Sequence, residues 1–511
     1  MTTHRPLDWC RRHPLVICLP VQAALLFAAL GHLPIWGDEQ SSLDRAALPY
    51  DEMARVLQTN VHPMLYFLLL RGWLALPWAA EPIVRARALS ALIMLLATLA
   101  VDRCWLRRLD ARSRAWFLAL WTLSPALLLY GRMARSYSLQ LLLACLTLAA
   151  GLAYLRRASA ARAVAYAALA GTLLYVHYLP GVALIAALTL VGGWNAVRAR
   201  AWTGLAALGA PLLLIALAYL AWAPVFAGAV ARVGGQSHAP LFGSRLADGA
   251  AALAFAGVSF TIGEALHPWM LVAALALAPG VLVLVAYGAH QQPPWLAPVA
   301  VAALIAFAGA VRWVSYAFVA GRLLFLLPFA LLLLVLGGRR APRLRAAVGL
   351  GLLIVSLGGV HAYFTAADFL NQAYVIPAGE ISARIAAGTG AAPPSVIFDH
   401  HSANLGPVMR ALPPGAHTVL VAGPADLEAV AALAAQPADV IWFVRSAHDS
   451  SPDGLNRRIE AYFAGFDTRR SGFAPYSTVD RWLMQLLGWP HPPANAVELL
   501  EWHRPAAAGE G

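Results

Sequence analysis

The chain has 511 residues, of which 60% are hydrophobic and 12% are charged, and its mean hydropathy is +0.66. Soluble domains carry about 25% charged residues, so this composition excludes a large soluble enzyme, and the many apolar and aromatic residues exclude a disordered chain. All 37 cationic residues are arginine, the side chain whose planar fork binds phosphate oxygens in pairs.

Charge is divided unevenly along the chain. Residues 1–364 hold 28 arginines and 11 acidic residues, a balance of +17, whereas residues 365–511 hold 9 arginines and 14 acidic residues, a balance of −5. A basic apolar part with an acidic tail favours a membrane protein whose arginines mark cytoplasmic loops, and it argues against nucleic-acid binding. We therefore predict a membrane domain at 1–364 and a soluble domain at 365–511.

About twelve apolar stretches approach the roughly 17–25 residues that a helix needs to cross a bilayer. They are 14–35, 63–80, 86–104, 115–131, 136–155, 163–178, 180–197, 202–223, 268–289, 295–316, 320–337 and 346–364. This pattern predicts a polytopic α-helical membrane protein with about 11–13 transmembrane helices. Strict alternation fails between loop 36–62 and Arg132, so either the stretch 63–80 lies in the interface or re-enters, or the arginines at 103–114 face outward. The first alternative is favoured because Arg71 and Gly72 interrupt this stretch and prolines flank it.

Arginine clusters predict the orientation of these helices. The clusters are Arg5/Arg11/Arg12, Arg103/Arg107/Arg108/Arg112/Arg114, Arg156/Arg157/Arg162, Arg198/Arg200 and Arg339/Arg340/Arg343/Arg345. The positive-inside rule assigns all of them to the cytoplasm. Loops 36–62 and 224–267 and the tail 365–511 then face outward, which in a bacterium is the periplasmic or extracellular side of the plasma membrane.

The tail has the pattern of a small α/β domain. Apolar β-rich runs occur at 395–399, 418–421 and 440–444, and a helical pattern covers 426–435. Strands that alternate with helices favour a parallel sheet. No glycine-rich phosphate loop follows these strands, so a nucleotide-binding fold is unsupported.

Two carboxylates stand at the end of the first apolar stretch. Asp38 and Glu39 follow Trp36 and Gly37 at membrane depth, where a carboxylate is costly unless it lines a polar cavity. Other acidic residues of loop 36–62 fit an ordinary solvated loop. A shielded carboxylate is also what a general base requires, so these two are the candidate catalytic residues.

Basic and aromatic residues mark the ends of later stretches. His62 opens the stretch 63–80, Arg132 and Arg135 lie between two apolar helices, and Arg322 begins another; the corner His177-Tyr178 lies at a further helix end. Such arginines either reach lipid headgroups or bind an anion, and a lipid phosphate is the obvious candidate. The spacing of Asp38, His62, His177 and His267 is not diagnostic of a metal site, so we predict no cofactor, and a divalent metal stays an alternative with weak support.

These motifs resemble those of GT-C glycosyltransferases, specifically bacterial family 39-like members related to protein O-mannosyltransferases and the lipid A aminoarabinose transferase. The matching strings are Asp38-Glu39, the run from His62 to Phe67, the run from Ala134 to Ser138, His177-Tyr178 and the run from Arg322 to Pro328. They occur in the family's order within residues 14–364. The chain departs from the pattern at Met64, where relatives have a second proline, and at Arg132-Met133, where many have Gln-Glu.

The resemblance implies a GT-C fold and an inverting transfer of a hexosyl or pentosyl group from a polyprenyl-phosphate donor to a hydroxyl on the outer face of the membrane. It implies Asp38 as general base with Glu39 beside it. It also implies donor-phosphate binding by Arg135 and Arg322, with Arg132 as a lesser candidate. The same resemblance makes His62, Tyr137, His177 and Tyr178 pocket residues. The acceptor is a lipid, a glycan or a protein.

Three other functions remain open. A transporter or flippase of lipid-linked saccharides also has many helices and intramembrane arginines, although transporters often show internal repeats that are not detectable here. A polymerase or ligase of cell-surface glycans is a nearer neighbour. A non-catalytic assembly protein would use the tail to bind a partner; the tail histidines His400, His401 and His448 fit solvated loops better than a metal site.

Overall fold

A computed structural model describes residues 13–59, 62–235, 244–313, 319–389, 392–399, 405–436, 439–446, 454–486, 488, 491 and 493–505, without side chains at 232–235 and 310–313. The chain divides into two compact units. One comprises Met1–Leu30, Ser42–Glu264 and Trp269–Tyr363; the other comprises Gly31–Ser41, Ala265–Pro268 and Phe364–Gly511.

Helices make up almost all of the chain before Phe364. In order they are α1 (Leu15–Phe27), α2 (Gly37–Ala47), α3 (Tyr50–Gln58), α4 (Leu65–Leu74), α5 (Pro82–Val101), α6 (Ala111–Thr122), α7 (Pro125–Arg132), α8 (Tyr137–Arg156), α9 (Ala160–Leu174), α10 (Tyr178–Arg198), α11 (Trp202–Tyr219), α12 (Ala223–Gly235), α13 (Arg245–Thr261), α14 (Pro268–His290), α15 (Leu296–Trp313), α16 (Leu327–Gly337) and α17 (Pro342–Phe364). A π-helical turn (Asp102–Leu106) extends α5, and 3₁₀ turns precede α12 (Leu220–Trp222) and α16 (Ala320–Leu326).

Seven helices of the described chain are long and apolar enough to cross a membrane. They are Pro82–Leu106, Tyr137–Arg156, Tyr178–Arg198, Trp202–Ala231, Pro268–His290, Ala320–Gly337 and Pro342–Phe364. Four shorter apolar helices are Leu15–Phe27, Leu65–Leu74, Ala160–Leu174 and Leu296–Gly309, and all of them except Leu65–Leu74 lie in stretches that were expected to be simple spans. The protein is therefore a multi-pass α-helical membrane protein.

The predicted single span 115–131 is wrong, because the structure divides it into α6 and α7. The Ser124 side chain accepts a hydrogen bond from Leu127 N and thus caps α7, and Pro125 occupies the first turn. A proline at that position favours the start of a new helix and prevents the preceding one from continuing. The break leaves both α6 and α7 too short to span alone.

The segment 63–80 forms the ten-residue helix α4. At 1.5 Å per residue, this helix is about 15 Å long, half the thickness of a hydrocarbon core. Its length agrees with the expectation that 63–80 is not a simple span.

The predicted loop 224–267 is largely helical, which corrects that expectation. It contains most of α12 and all of α13, and the membrane-length helix that starts at Trp202 continues to Ala231. The Ser244 hydroxyl accepts a hydrogen bond from Ala247 N and so caps α13. The moderate hydropathy of this stretch concealed its helices, since an apolar helix packed on one side needs no continuous run of large apolar residues.

Helices α14 and α16 touch through two glycines. A Cβ atom built on Gly288 would collide with the carbonyl group of Leu333, and one on Gly337 would collide with the carbonyl group of Leu284. The two backbones therefore approach as closely as small residues allow in membrane helix pairs.

After Phe364 the chain forms a 3₁₀ turn (Gln372–Val375) and a five-stranded sheet with helices. In order these are α18 (Ala378–Thr389), β1 (Ser395–Asp399), α19 (Gly406–Ala411), β2 (His417–Val421), α20 (Leu427–Ala435), β3 (Val440–Ser446), α21 (Leu455–Tyr462), β4 (Asp467–Pro475), α22 (Thr478–Leu486) and β5 (Asn495–His503). The strand order is β2-β1-β3-β5-β4.

The predicted strands β1, β2 and β3 are confirmed, and β1 pairs in parallel with both neighbours. All five residues of β1 are buried, as expected for a central strand covered on both faces. One face packs on Ile381, Ile385 and Val408, and the other packs on Val430 and Ile459. The antiparallel pair β4 and β5 was not predicted.

Candidate functional site

Basic side chains from distant parts of the first unit surround His62. The Arg135 Nη2 atom lies 3.4 Å from the His62 Nε2 atom. The pKa of His62 is held well below its usual value, first by burial and then by the positive charges of Arg135 and Arg45, with smaller contributions from His177 and Arg322. We call these five residues the arginine–histidine cluster.

Positive charges of the same cluster also act on His177. Burial, followed by the charges of Arg322 and Arg135, lowers its pKa to about 3. The groups whose charges act on His62 and His177 are all basic. Concentrated positive charge with little exposure to water is the environment that binds a phosphate group.

The cluster contains buried nitrogen atoms with no hydrogen-bond partner in the described chain. They include Arg322 Nη1 and His177 Nδ1. Buried polar atoms are rarely unpaired, so each such atom calls for an explanation. An anion between these groups would accept hydrogen bonds from both.

Helix ends and short connections place the cluster residues. His62 precedes α4, and Arg135 lies between α7 and α8. His177 immediately precedes α10, and Arg322 belongs to the 3₁₀ turn before α16. A backbone hydrogen bond of 3.0 Å from Leu65 N to Tyr175 O joins the segments that carry the two histidines.

Hydrogen bonds to the main chain fix the position of Arg322. The Gln140 side-chain amide donates to Arg322 O at 3.0 Å and to Gly321 O at 3.4 Å. A Cβ at Gly321 would collide with Tyr130 at 2.6 Å and approach Tyr137 to 3.1 Å, so the turn rests directly on these two rings. Tyr137 thus supports the turn that bears Arg322.

A buried carboxylate anchors that support. Tyr130 donates its hydroxyl hydrogen bond to Glu264 Oε1, which also accepts from Ser259 Oγ at 2.9 Å. Tyr130 and Glu264 are 0% and 1% exposed, respectively. The hydrogen bond to this buried carboxyl group fixes the tyrosine ring in place.

Arg132 faces a different environment from Arg135. Its guanidinium donates to the carbonyl oxygens of Leu25 at 2.9 Å and Ala29 at 2.7 Å, and it stacks on the Tyr363 ring at 5.1 Å. These carbonyls lie at the carboxyl end of α1, where helices lack backbone donors. The geometry therefore favours a structural role for Arg132 over its expected part in phosphate binding.

Asp38 and Glu39 occupy the first turn of α2 and belong to the second unit. Asp38 is half-buried and Glu39 is 1% exposed. Acidic residues are favoured at helix amino ends by the helix dipole. Ser42 and Arg45 follow Asp38 on the same helix at spacings of four and seven residues, which lie along one face.

Ser42 ties α2 to Arg135 within the first unit, since Arg135 Nη1 donates to Ser42 Oγ at 3.4 Å. Sequence reasoning missed Ser42 and Arg45. Both lie at helical spacing from the predicted base Asp38, and this pattern would have revealed them. Gln140 was also missed, although a polar residue inside an apolar helix is itself a signal of function.

Tyr178 is directed into an aromatic group on neighbouring helices. Its hydroxyl accepts a hydrogen bond from Trp222 Nε1 at 2.9 Å, and its ring packs edge-on against Phe226 at 4.9 Å. Of the corner His177-Tyr178, only the histidine joins the arginine–histidine cluster.

Potential metal ligands do not cluster in the described residues: no group of three or more His, Cys, Asp and Glu side chains there suits a metal ion. His267 instead lies within hydrogen-bond distance of Asp368, with Nδ1 and Oδ2 2.7 Å apart. The tail residues His400, His401 and His448 lie outside the described chain.

Comparison with solved structures identifies the architecture. The chain superimposes on ArnT from Cupriavidus metallidurans in the apo state with a TM-score of 0.53 at 12% identity, over 96% of this chain and 98% of that one. The fold is GT-C. The same protein bound to undecaprenyl phosphate gives a TM-score of 0.53 at 13% identity and the same coverage.

Comparison with sequences alone finds no such relative. No protein-family model and no curated protein matches the chain. The GT-C architecture is therefore shared at a level of sequence identity where the fold is retained and most side chains differ.

Proposed function

We propose that the protein is an inverting membrane glycosyltransferase that takes its sugar from a polyprenyl-phosphate donor. The observation that carries this proposal is the arginine–histidine cluster, in which Arg135 and Arg322 lie close enough to depress the pKa of His177 together. The ArnT neighbour that binds undecaprenyl phosphate has the same fold over 96% of this chain, which supports a lipid-linked donor.

In the proposed reaction an acceptor hydroxyl attacks the anomeric carbon. Asp38 takes the hydroxyl proton, a new bond forms between the acceptor oxygen and the anomeric carbon, and the bond from that carbon to the phosphate oxygen breaks. The electron pair of the broken bond leaves on the lipid phosphate. Glu39 orients the acceptor.

Arg45, Arg135 and Arg322 stabilise the phosphate as its charge develops. Fixed positive groups in a shielded site stabilise such charge without reorganising, which is the largest contribution in many enzymes. Uncharged imidazoles at His62 and His177 add hydrogen-bond donors without increasing the repulsion among the guanidiniums. Tyr137 holds the Arg322 turn, and the site faces the outer side of the plasma membrane.

The test measures transfer by purified protein in lipid nanodiscs with radiolabelled polyprenyl-phosphate sugars, and it titrates free polyprenyl phosphate as an inhibitor. Arg135→Gln and Arg322→Gln should each raise the donor KM and the inhibition constant by about 10- to 100-fold, since hydrogen bonds to charged groups contribute about 1.5–3 kcal/mol. Arg339→Gln is the matched control, because Arg339 is half-exposed and pairs with Asp110. Equal donor and inhibitor affinities in all three variants would refute the phosphate role.

A flippase of lipid-linked saccharides is the second candidate, because the same cluster suits a carried phosphate. The two functions separate in one assay with sealed vesicles. A flippase moves the intact donor across the bilayer, whereas a transferase releases polyprenyl phosphate and glycosylated acceptor.

A further inference from the structure

Helix α22 of the second unit presents an apolar face that no residue of the described chain covers. Trp482, Leu483 and Leu486 are 54%, 38% and 68% exposed, whereas Val479 is 6% exposed and packs inward. Residues spaced three, four and seven apart form one stripe along a helix. Three large exposed apolar side chains thus lie on the same helix face as the buried Val479.

The amino end of α22 is fixed to the chain just after a membrane helix. Asp480 accepts a hydrogen bond of 2.8 Å from the Gln372 amide and one of 2.7 Å from the Ser477 hydroxyl. Gln372 is only eight residues after Phe364, the end of the membrane-length helix α17. Eight residues reach at most about 28 Å, so a short stretch of chain connects the end of α17 to the residue that binds the amino end of α22.

The segment that follows α1 contacts the same 3₁₀ turn, Gln372–Val375. Trp36, nine residues after the end of α1, packs edge-on against Tyr374 with ring centroids 4.9 Å apart. His32 stacks on Phe364 at 5.5 Å. Two segments that follow apolar helices therefore converge on the 3₁₀ turn to which α22 is bound.

We propose that α22 is an interfacial helix that inserts Trp482, Leu483 and Leu486 into the boundary between lipid headgroups and acyl chains. Tryptophan is favoured at that depth because its ring is apolar and its N–H group remains hydrated. Arg481 and Gln485, both exposed, lie beside the apolar face, as in helices that rest in the plane of a membrane. The anchor fixes the soluble domain on the bilayer independently of the proposed chemistry.

The test uses full-length protein in nanodiscs, with a nitroxide spin label at Trp482→Cys or Leu486→Cys and the four native cysteines replaced by alanine. Leu420→Cys is the matched control, because Leu420 is an apolar residue that is 43% exposed on β2, the edge strand opposite to β4. Oxygen concentrates in lipid, whereas the nickel complex is soluble in water. The ratio of relaxation by oxygen to relaxation by nickel should therefore be several-fold higher for labels at 482 and 486 than for the label at 420.

A label at 486 as accessible to nickel as the label at 420 would overturn the proposal and leave the face in water. A label shielded from both agents would overturn it in favour of a protein partner. If the cysteine-free chain does not insert, quenching of the native protein by brominated lipids provides the second measurement. The loss of a lipid-quenched component in Trp482→Phe is then expected, and unchanged quenching contradicts the proposal.

Discussion

The Gln140 side chain donates a 3.0 Å hydrogen bond to the main-chain carbonyl of Arg322, which joins α8 to a turn that follows 182 residues later. The bond fixes the main chain at Arg322 and does not involve its guanidinium. Gln140 therefore acts on the proposed donor site through Arg322, as a positioning residue.

Replacing Gln140 with leucine should raise the donor KM several-fold while kcat at saturating donor changes little. The Arg322 turn would lose the hydrogen bond that fixes its position relative to His177. The Arg322 carbonyl would then be buried without a donor, which costs about 1–3 kcal/mol. Steady-state kinetics with varied donor measure the effect.

Thr147→Val is the control for that variant. Thr147 is fully buried on the same helix, and its hydroxyl has no hydrogen-bond partner in the described chain. Removing an unpaired buried hydroxyl is neutral or stabilising, so donor kinetics should stay unchanged. Equal effects of both variants would show that Gln140 acts only through general packing.

Arg132→Leu should lower thermal stability without altering the donor KM. The variant leaves the carbonyls of Leu25 and Ala29 without their donor at the end of α1. Each unpaired carbonyl costs about 1–3 kcal/mol. Unfolding monitored by intrinsic fluorescence in detergent measures the loss. A raised donor KM with normal stability would return Arg132 to the phosphate site.

The two cluster histidines should make the protein less stable in acid. Because their pKa values are lowered in the folded state, the unfolded chain binds protons that the folded chain does not, and stability falls as the pH drops below about 6.5. The loss continues toward pH 3, where His177 itself becomes protonated. Each histidine contributes at most about 1.4 kcal/mol per pH unit.

The double variant His62→Gln/His177→Gln removes this dependence. Its stability should therefore fall less steeply than that of the parent protein between pH 6.5 and pH 4, measured by thermal unfolding at fixed detergent concentration. Parallel curves for the two proteins would mean that other groups cause the acid sensitivity.

Asp38→Asn should abolish transfer and leave donor binding intact, since the amide cannot take the acceptor proton. Asp51→Asn is the matched control in the same region, because the Asp51 carboxylate is 79% exposed and pairs with Arg55 across one helical turn. Product formation and donor binding are measured separately. Full activity of Asp38→Asn would remove the assignment of the base.

The architecture was largely readable from the sequence because long apolar stretches and β-rich runs directly reflect burial. Errors arose where local chemistry competes with hydropathy. Ser124-Pro125 divides a stretch that appears continuous by composition, and Ser244 caps a helix within a supposed loop. A capping serine was present in both places, and a proline in the first, but the hydropathy of the surrounding residues outweighed these signals.

The site was readable only in part. Arg135, Arg322, His62 and His177 were identified from motif resemblance, and the structure brings them together in one unit. Gln140 and Glu264 were not assigned a role, because their function depends on tertiary contacts with Arg322 and Tyr130. Single-sequence patterns carry no information on such pairings across more than a hundred residues.

The glycine contact between α14 and α16 bears on the helix that continues the Arg322 turn. Gly337 lies fifteen residues after Arg322 along the 3₁₀ turn and α16. Since even one methyl group there would collide with the facing backbone, the distance between α14 and the helix that continues the Arg322 turn is set by two positions that have no side chain.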